Sequence, residues 1–163
     1  MAGPADALSI YLNDHLGGAN AGIELARQLE QRVAEDLGST TLTGLAEAIE
    51  DDRDVLSSLI GRIGAGRHPV KEAAGWIAGQ AQRIATAEIL TGQKELSLLL
   101  HCEMLVLGIT GKQAMWEAIV EIRSAYPALA DIDLEQLVER ARRQQAQVES
   151  VRIQIARRSF VSS

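Results

Sequence analysis

The sequence has few of the residues on which several common protein classes depend. Cys102 is the single cysteine, so no disulfide can form within the chain, which excludes a disulfide-stabilised secreted fold. Aromatic residues make up 3% of the chain, so a core must be packed mainly from aliphatic side chains. Lysine and arginine number 16 against 22 acidic residues. This net charge of −6 argues against a nucleic-acid surface, which requires a basic stripe.

Segments that direct a chain to a membrane or out of the cell are also missing from the sequence. Residues 1–16 contain no basic region followed by a long apolar run, so we predict neither a signal peptide nor a membrane segment. The single cysteine lies in the most apolar stretch, as is typical of a reduced interior thiol. We therefore expect a cytoplasmic protein.

The most apolar stretch extends from Lys94 to Ser124. Within residues 96–109, the only interruptions are Ser97, His101, Glu103 and Gly108. A soluble helix that is apolar on nearly all sides must be covered on nearly all sides, and its polar interruptions make it a poor membrane span. We therefore expect the other helices to pack around this one.

Apolar residues recur at helical spacing along the rest of the chain, without the alternation typical of strands. We predict helices at about residues 6–37, 41–63, 69–84, 94–124 and 133–159, of which 69–84 is the short one. Short turns should make antiparallel hairpins of the first two and the last two long helices. A chain of this length suits one domain, so we predict a single all-α four-helix bundle over residues 1–163.

Four segments of the chain resemble an uncharacterised bacterial family of ferritin-like proteins. They are YLNDHLGGANAGIELA, HPVKEAAGWIAGQ, HCEMLVLGITGKQAMWEAI and LEQLVERARRQQAQVESVR, and together they extend over nearly the whole chain. The resemblance implies a ferritin-like four-helix bundle, in which a long crossover carrying the short helix joins two antiparallel hairpins. It implies no established activity.

The metal ligands of ferritin-like di-iron proteins are missing. Such sites need a glutamate on each of two helices and Glu-x-x-His on the other two, and the sequence contains no Glu-x-x-His. Glu50 and Glu149 are each followed three residues later by an arginine, which is no metal ligand, and surface ion pairs explain that spacing. We therefore predict no metal site, no cofactor and no catalytic residue.

Four polar residues lie on faces predicted to be inward, and they form the candidate buried site: His15, Asp52, Lys112 and Arg152. Buried charges are costly unless they are paired, which favours core ion pairs; a ligand or metal site, and a wrong estimate of burial, are the alternatives. If a crossover makes helices two and three parallel, Asp52 should meet Arg152, and His15 should meet the turn from Lys112 to Trp116. In an up-down bundle, Asp52 should instead meet Lys112.

His101, Cys102 and Glu103 form a potential metal cluster only in the linear sequence. Neighbouring helical residues point about 100° apart, so these three side chains cannot converge on one ion. We expect a core position for Cys102 and a hydrogen bond for His101. No recognisable arrangement of serine, histidine and aspartate supports a catalytic nucleophile either.

These observations favour a non-catalytic helical protein that acts through self-association or a protein partner. Leu96, Leu100 and Leu107 point away from the face that carries Leu98 and Leu105, so the crossover helix or a second subunit should cover them. The alternative is metal or small-ligand binding inside the bundle, at the four polar residues named above. We expect no nucleic-acid partner and no membrane partner.

Overall fold

The computed structural model describes residues 3–65 and 92–161, together with residues 79 and 82. Their four α-helices are α1 (Pro4–Leu37), α2 (Leu45–Arg62), α3 (Lys94–Ile122) and α4 (Leu134–Phe160). No strand occurs among the described residues, so the predicted all-α fold with four long helices is confirmed for this part of the chain. Nearly all of the short helix predicted at 69–84 lies outside the described residues.

The connection between α1 and α2 is built around two glycines. Gly38 ends α1 in the left-handed conformation, with φ at 62°, which glycine adopts more readily than any other residue. Its N–H donates to the carbonyl oxygen of Ala34 at 3.1 Å. The predicted start of the second helix at residue 41 is too early, because residues 41–44 form a turn that ends at Gly44, with φ at 81°.

The connection between α3 and α4 contains two single-turn 3₁₀ helices, Arg123–Ala125 and Pro127–Leu129. The α-helical part of α3 therefore ends at Ile122, and the residue before Pro127 is extended, as the proline ring requires. Asp133 caps α4, and its carboxylate accepts the backbone N–H of Gln136 at 2.9 Å. This is the predicted N-terminal cap.

Contacts between α1 and α2 define an antiparallel hairpin. Arg27 pairs with Glu50 at 2.8 Å, and Asn20 accepts a hydrogen bond from Arg53 at 3.4 Å. Residue numbers thus fall along α1 as they rise along α2. The register places the C-terminal half of α1 beside the N-terminal half of α2.

Contacts between α1 and α3 also run in opposite directions. Arg32 donates to the hydroxyl of Ser97 at 3.1 Å, and His101 Nε2 lies 2.9 Å from the carbonyl oxygen of Leu25. Because α1 is antiparallel to both α2 and α3, these two helices run in the same direction.

The second hairpin consists of α3 and α4. Arg142 lies 3.1 Å from Glu117, whereas Arg152 lies 3.6 Å from Glu103, so these helices are antiparallel. The buried side chains of the described residues form two apolar clusters, one toward each end of the bundle. One contains Leu29, Ile49, Leu105 and Val148. The other contains Leu12, Leu56, Trp116 and Leu137.

Leucines on the outer side of α3 differ in exposure. Leu96 and Leu100 are half-buried, and Leu107 is 59% exposed. The crossover helix that we expected over this side lies outside the described residues. None of the helices in residues 3–65 and 92–161 is long and apolar enough to cross a membrane.

Alanine at Gly38 should lower the free energy of unfolding by about 1 kcal/mol, because a Cβ strains the left-handed backbone. Gly61 is the matched control, since it lies in the last turn of α2, where a Cβ would meet no described atom within 4 Å. Gly61→Ala should raise the free energy of unfolding by up to about 1 kcal/mol. Urea denaturation measures both changes, and equal changes would contradict the cap assigned to Gly38.

Candidate functional site

Asp52 is the centre of a polar cluster in the core. It lies between Ile49 and Leu56 on the buried face of α2, and its side chain is fully buried. Lys112 of α3 donates to its Oδ2 at 2.5 Å, and Gln144 of α4 donates to the same oxygen at 3.1 Å. Three helices therefore meet at one buried carboxylate.

Arg140 completes the compensation of the charge on Asp52. Its guanidinium pairs with Oδ1 from the side of α4, one turn before Gln144. Lys112 Nζ also donates to the amide oxygen of Gln144. Oδ1 of Asp52 has the ion pair with Arg140 but accepts no hydrogen bond from the described residues. Asp52 thus pairs with two cations. A carboxylate paired in this way suits a structural role better than the role of a general base.

The ammonium group of Lys112 is mostly buried, with 12% of the side chain exposed. Burial lowers the pKa of Lys112, because desolvation disfavours the charged form. The Asp52 carboxylate opposes this shift, and the nearby Arg140 charge adds to it. The pairing with Asp52 thus offsets part of the cost of placing an ammonium group in the core.

Arg152 lies outside this cluster, so the predicted contact between Asp52 and Arg152 is wrong. Arg152 donates to Glu149 on its own helix at 2.7 Å and faces Glu103 of α3. Asp52 meets Lys112, as expected for an up-down bundle, although α2 and α3 are parallel. The predicted contact assumed that residues at equal heights along two helices meet. It did not include the offset between the two hairpins or the length of a lysine side chain, which leans toward the N-terminus of its helix.

Gln144 and Arg140 were not predicted as site residues, although the sequence contains a signal for one of them. Gln144 continues the buried series of α4 at alternating spacings of three and four residues; the other members are Leu134, Leu137, Ala141, Val148, Val151 and Ile155. Arg152 lies one residue beyond a member of this series. This spacing places Gln144 on the inward face of its helix, which is the criterion that selected Asp52, whereas Arg140 has no such signal.

A cavity of about 90 Å³ lies beside the cluster, between α1, α2 and α3. Its polar lining consists of Asp52, Lys112, His15, Arg53 and Trp116. The structure thus brings together three of the four predicted site residues. His15, Lys112 and Trp116 all line this cavity, whereas a direct contact of His15 with that turn stays a prediction.

Small and aliphatic residues line the rest of the cavity. Gly18, Gly22 and Gly108 face it, and a Cβ at any of these positions would meet no described atom within 4 Å. The aliphatic lining consists of Ala19, Ile49, Leu56, Leu105, Ile109 and Met115. No described helix comes close enough to Gly18 or Gly22 to require a glycine there.

Two aromatic side chains add polar groups to the cavity. Trp116 is fully buried, and its indole Nε1 finds no acceptor among the described residues. His15 packs edge-on against Tyr11, with the ring centroids 4.7 Å apart. Burial lowers the pKa of His15, with Asp14 acting in the opposite direction, so the imidazole is neutral near pH 7.

His101 and Cys102 occupy separate environments, as predicted. Cys102 is buried, and burial raises its pKa to about 12, which keeps the thiol protonated. His101 contacts the carbonyl oxygen of Leu25, as described above. In residues 3–65 and 92–161, no three histidine, cysteine or carboxylate side chains are placed to hold a metal ion.

The fold and the site define an all-α protein with a charged cluster in its core and a small cavity beside that cluster. The chain matches no protein-family model, no curated protein and no solved structure. The function must therefore be inferred from the chemistry of the site.

Asp52→Ala should lower the free energy of unfolding by about 3–5 kcal/mol, because Lys112 would remain buried without its counter-ion. Asp51 is the matched control, since it is exposed on the same helix, and Asp51→Ala should change stability by less than about 0.5 kcal/mol. Chemical denaturation of both variants tests the difference. Equal midpoints would show that the buried carboxylate is not needed by its partners.

The stability of the protein should fall as the pH is lowered from about 7 to about 5. Burial lowers the pKa of His101 below its ordinary value of 6.5, with Leu25 opposing the shift and Arg32 adding to it. The unfolded chain then binds more protons than the folded chain below pH 6.5, so acid favours unfolding. His101→Gln should reduce this pH dependence in thermal denaturation, and an unchanged slope would count against a neutral buried His101.

Proposed function

We propose that this protein is a non-catalytic helical bundle that binds a small molecule in the cavity between α1, α2 and α3. The observation that carries the proposal is the composition of the cavity wall: mostly aliphatic residues and glycines, with a few polar groups from His15, Lys112 and Trp116. Small-molecule sites have this composition, and they often lie between the helices of bundles.

The glycines of the wall support a binding site over incomplete packing. A glycine inside a helix costs roughly 1 kcal/mol relative to alanine, and unfilled space in a core costs further stability. Gly18, Gly22 and Gly108 incur the first cost, although alanine would fit at each position without meeting a described atom. Gly18 and Gly22 are half-buried and Gly108 is exposed, so the wall is open at Gly108. A ligand that occupies the space left by these glycines would explain why they are present.

The chemistry of the polar groups supports binding over catalysis. Asp52 is compensated by two cations, and the Cys102 thiol is protonated and lies outside the cavity wall. Catalysis by a general base or a nucleophile needs a group that is available and activated. Neither Asp52 nor Cys102 meets that requirement.

We further propose a ferritin-like bundle, from the parallel direction of α2 and α3 and the long connection that joins them. The predicted roles in self-association or partner binding remain open proposals. Among the described residues, the exposed large apolar side chains include Ile10, Leu107 and Phe160, which lie on three different helices. Exposed apolar residues that are scattered over a surface are normal. A cytoplasmic location is a proposal supported by the lone cysteine.

Gly108→Leu should abolish binding of pentan-1-ol, a neutral probe, because the new side chain would fill the cavity. Gly111 is the matched control, since it lies on the same helix with similar space around it but is not part of the cavity wall. Gly111→Leu should retain binding, because the new side chain lies outside the cavity wall. The two substitutions improve helix propensity similarly, so they differ mainly in their effect on the cavity. Titration calorimetry of the native protein and both variants makes the comparison. Equal binding of the probe by the two variants would refute the proposed site.

A further inference from the structure

Lys112 and Trp116 place two hydrogen-bond donors on one side of the cavity. They lie four residues apart on α3, so they share a face of the helix. Lys112 Nζ has three N–H groups, of which two are directed to Asp52 and Gln144. The indole N–H of Trp116 has no acceptor among the described residues. A buried donor without a partner lowers stability. A ligand that supplies hydrogen-bond acceptors would remove this cost.

Most acceptors of the cluster are already occupied. Oδ2 of Asp52 accepts from Lys112 and Gln144. Oδ1 forms an ion pair with Arg140 on the side of α4 but accepts no hydrogen bond from the described residues. Gln144 Oε1 accepts from Lys112. His15, when neutral, adds one donor and one acceptor at the same wall. The polar groups left for a ligand are therefore mainly donors.

The distribution of charge distinguishes an anionic acceptor from a neutral one. Arg53 also lines the cavity, but it pairs with Glu50 and Asp54. Asp52 shares its charge between Lys112 on the cavity side and Arg140 on the side of α4. Lys112 is thus a cation whose counter-ion is shared with a second cation, and an additional negative charge beside it would be stabilised.

We infer that the ligand is a short apolar chain or ring that ends in a carboxylate, whose oxygens accept hydrogen bonds from Lys112 Nζ and Trp116 Nε1. This inference rests on the proposed binding function. A volume of about 90 Å³ corresponds to roughly three molecules of liquid water. It therefore encloses only about three to four non-hydrogen atoms, such as the carboxylate and the nearest carbon of the ligand. Because the cavity is partly open to solvent, a longer chain would extend out of it along the aliphatic wall.

Calorimetric titration with three probes tests the inference: pentanoate, pentan-1-ol and acetate. Pentanoate should bind about tenfold more tightly than pentan-1-ol, as expected for hydrogen bonds to a charged group. It should also bind more tightly than acetate, which lacks the apolar chain. Equal affinity for pentanoate and pentan-1-ol would overturn the carboxylate but leave the cavity as a binding site. Absence of binding by all three probes would overturn the binding function as well.

Variants of the two donors locate the carboxylate. Trp116→Phe should reduce the preference for pentanoate over pentan-1-ol by several-fold, because it removes only the N–H group and part of the ring. Lys112→Met should be combined with Asp52→Asn, so that no unpaired charge stays buried, and should reduce the preference to about one. Arg157→Met, an exposed site on α4, controls for the loss of a positive charge elsewhere. A preference that persists in both donor variants would overturn the assignment.

Discussion

The buried carboxylate of Asp52 is the constraint on which the packing of the described helices depends. A charge in an apolar core is tolerated only when oppositely charged and hydrogen-bonding groups reach it. Lys112 of α3 and Gln144 and Arg140 of α4 meet this requirement. A shift of one helix by a turn, about 5.4 Å, would separate the carboxylate from at least one partner. The pairing therefore contributes more to the register of the three helices than to net stability, because desolvation offsets much of the Coulomb attraction.

The cavity forms because the helices contribute side chains of unequal size to the core at the height of Asp52. Three helices provide side chains that fill the core around Asp52, whereas α1 presents His15 and the small residues Gly18, Ala19 and Gly22. The apolar clusters on either side of the charged cluster are packed from leucine, isoleucine and valine. Space is thus left in the middle of the bundle, next to the charged cluster. The same lysine that neutralises Asp52 therefore lines the cavity.

The sequence predicted the elements of the fold better than the partners within the site. Hydrophobic periodicity located α1, α3 and α4 closely, because a helix needs one apolar face whatever it packs against. It placed the start of α2 too early, since turn residues such as Thr41 do not reveal where backbone hydrogen bonding begins. The burial of Asp52 and Lys112 was predictable from heptad spacing. Their pairing was not, because it depends on the offset between two hairpins, which the spacing within each helix does not determine.

Charge compensation by side chains distinguishes this core from that of a metal-binding bundle. In a di-iron bundle, several carboxylates face the interior and the bound cations neutralise them. Among the described residues a single carboxylate, that of Asp52, is fully buried, and the lysine and arginine that neutralise it belong to the same chain. The negative charge of Asp52 is therefore compensated as soon as the helices pack. The neighbouring cavity is then available for a ligand. The hydrogen-bond acceptors and the apolar surface of that ligand would determine whether it binds.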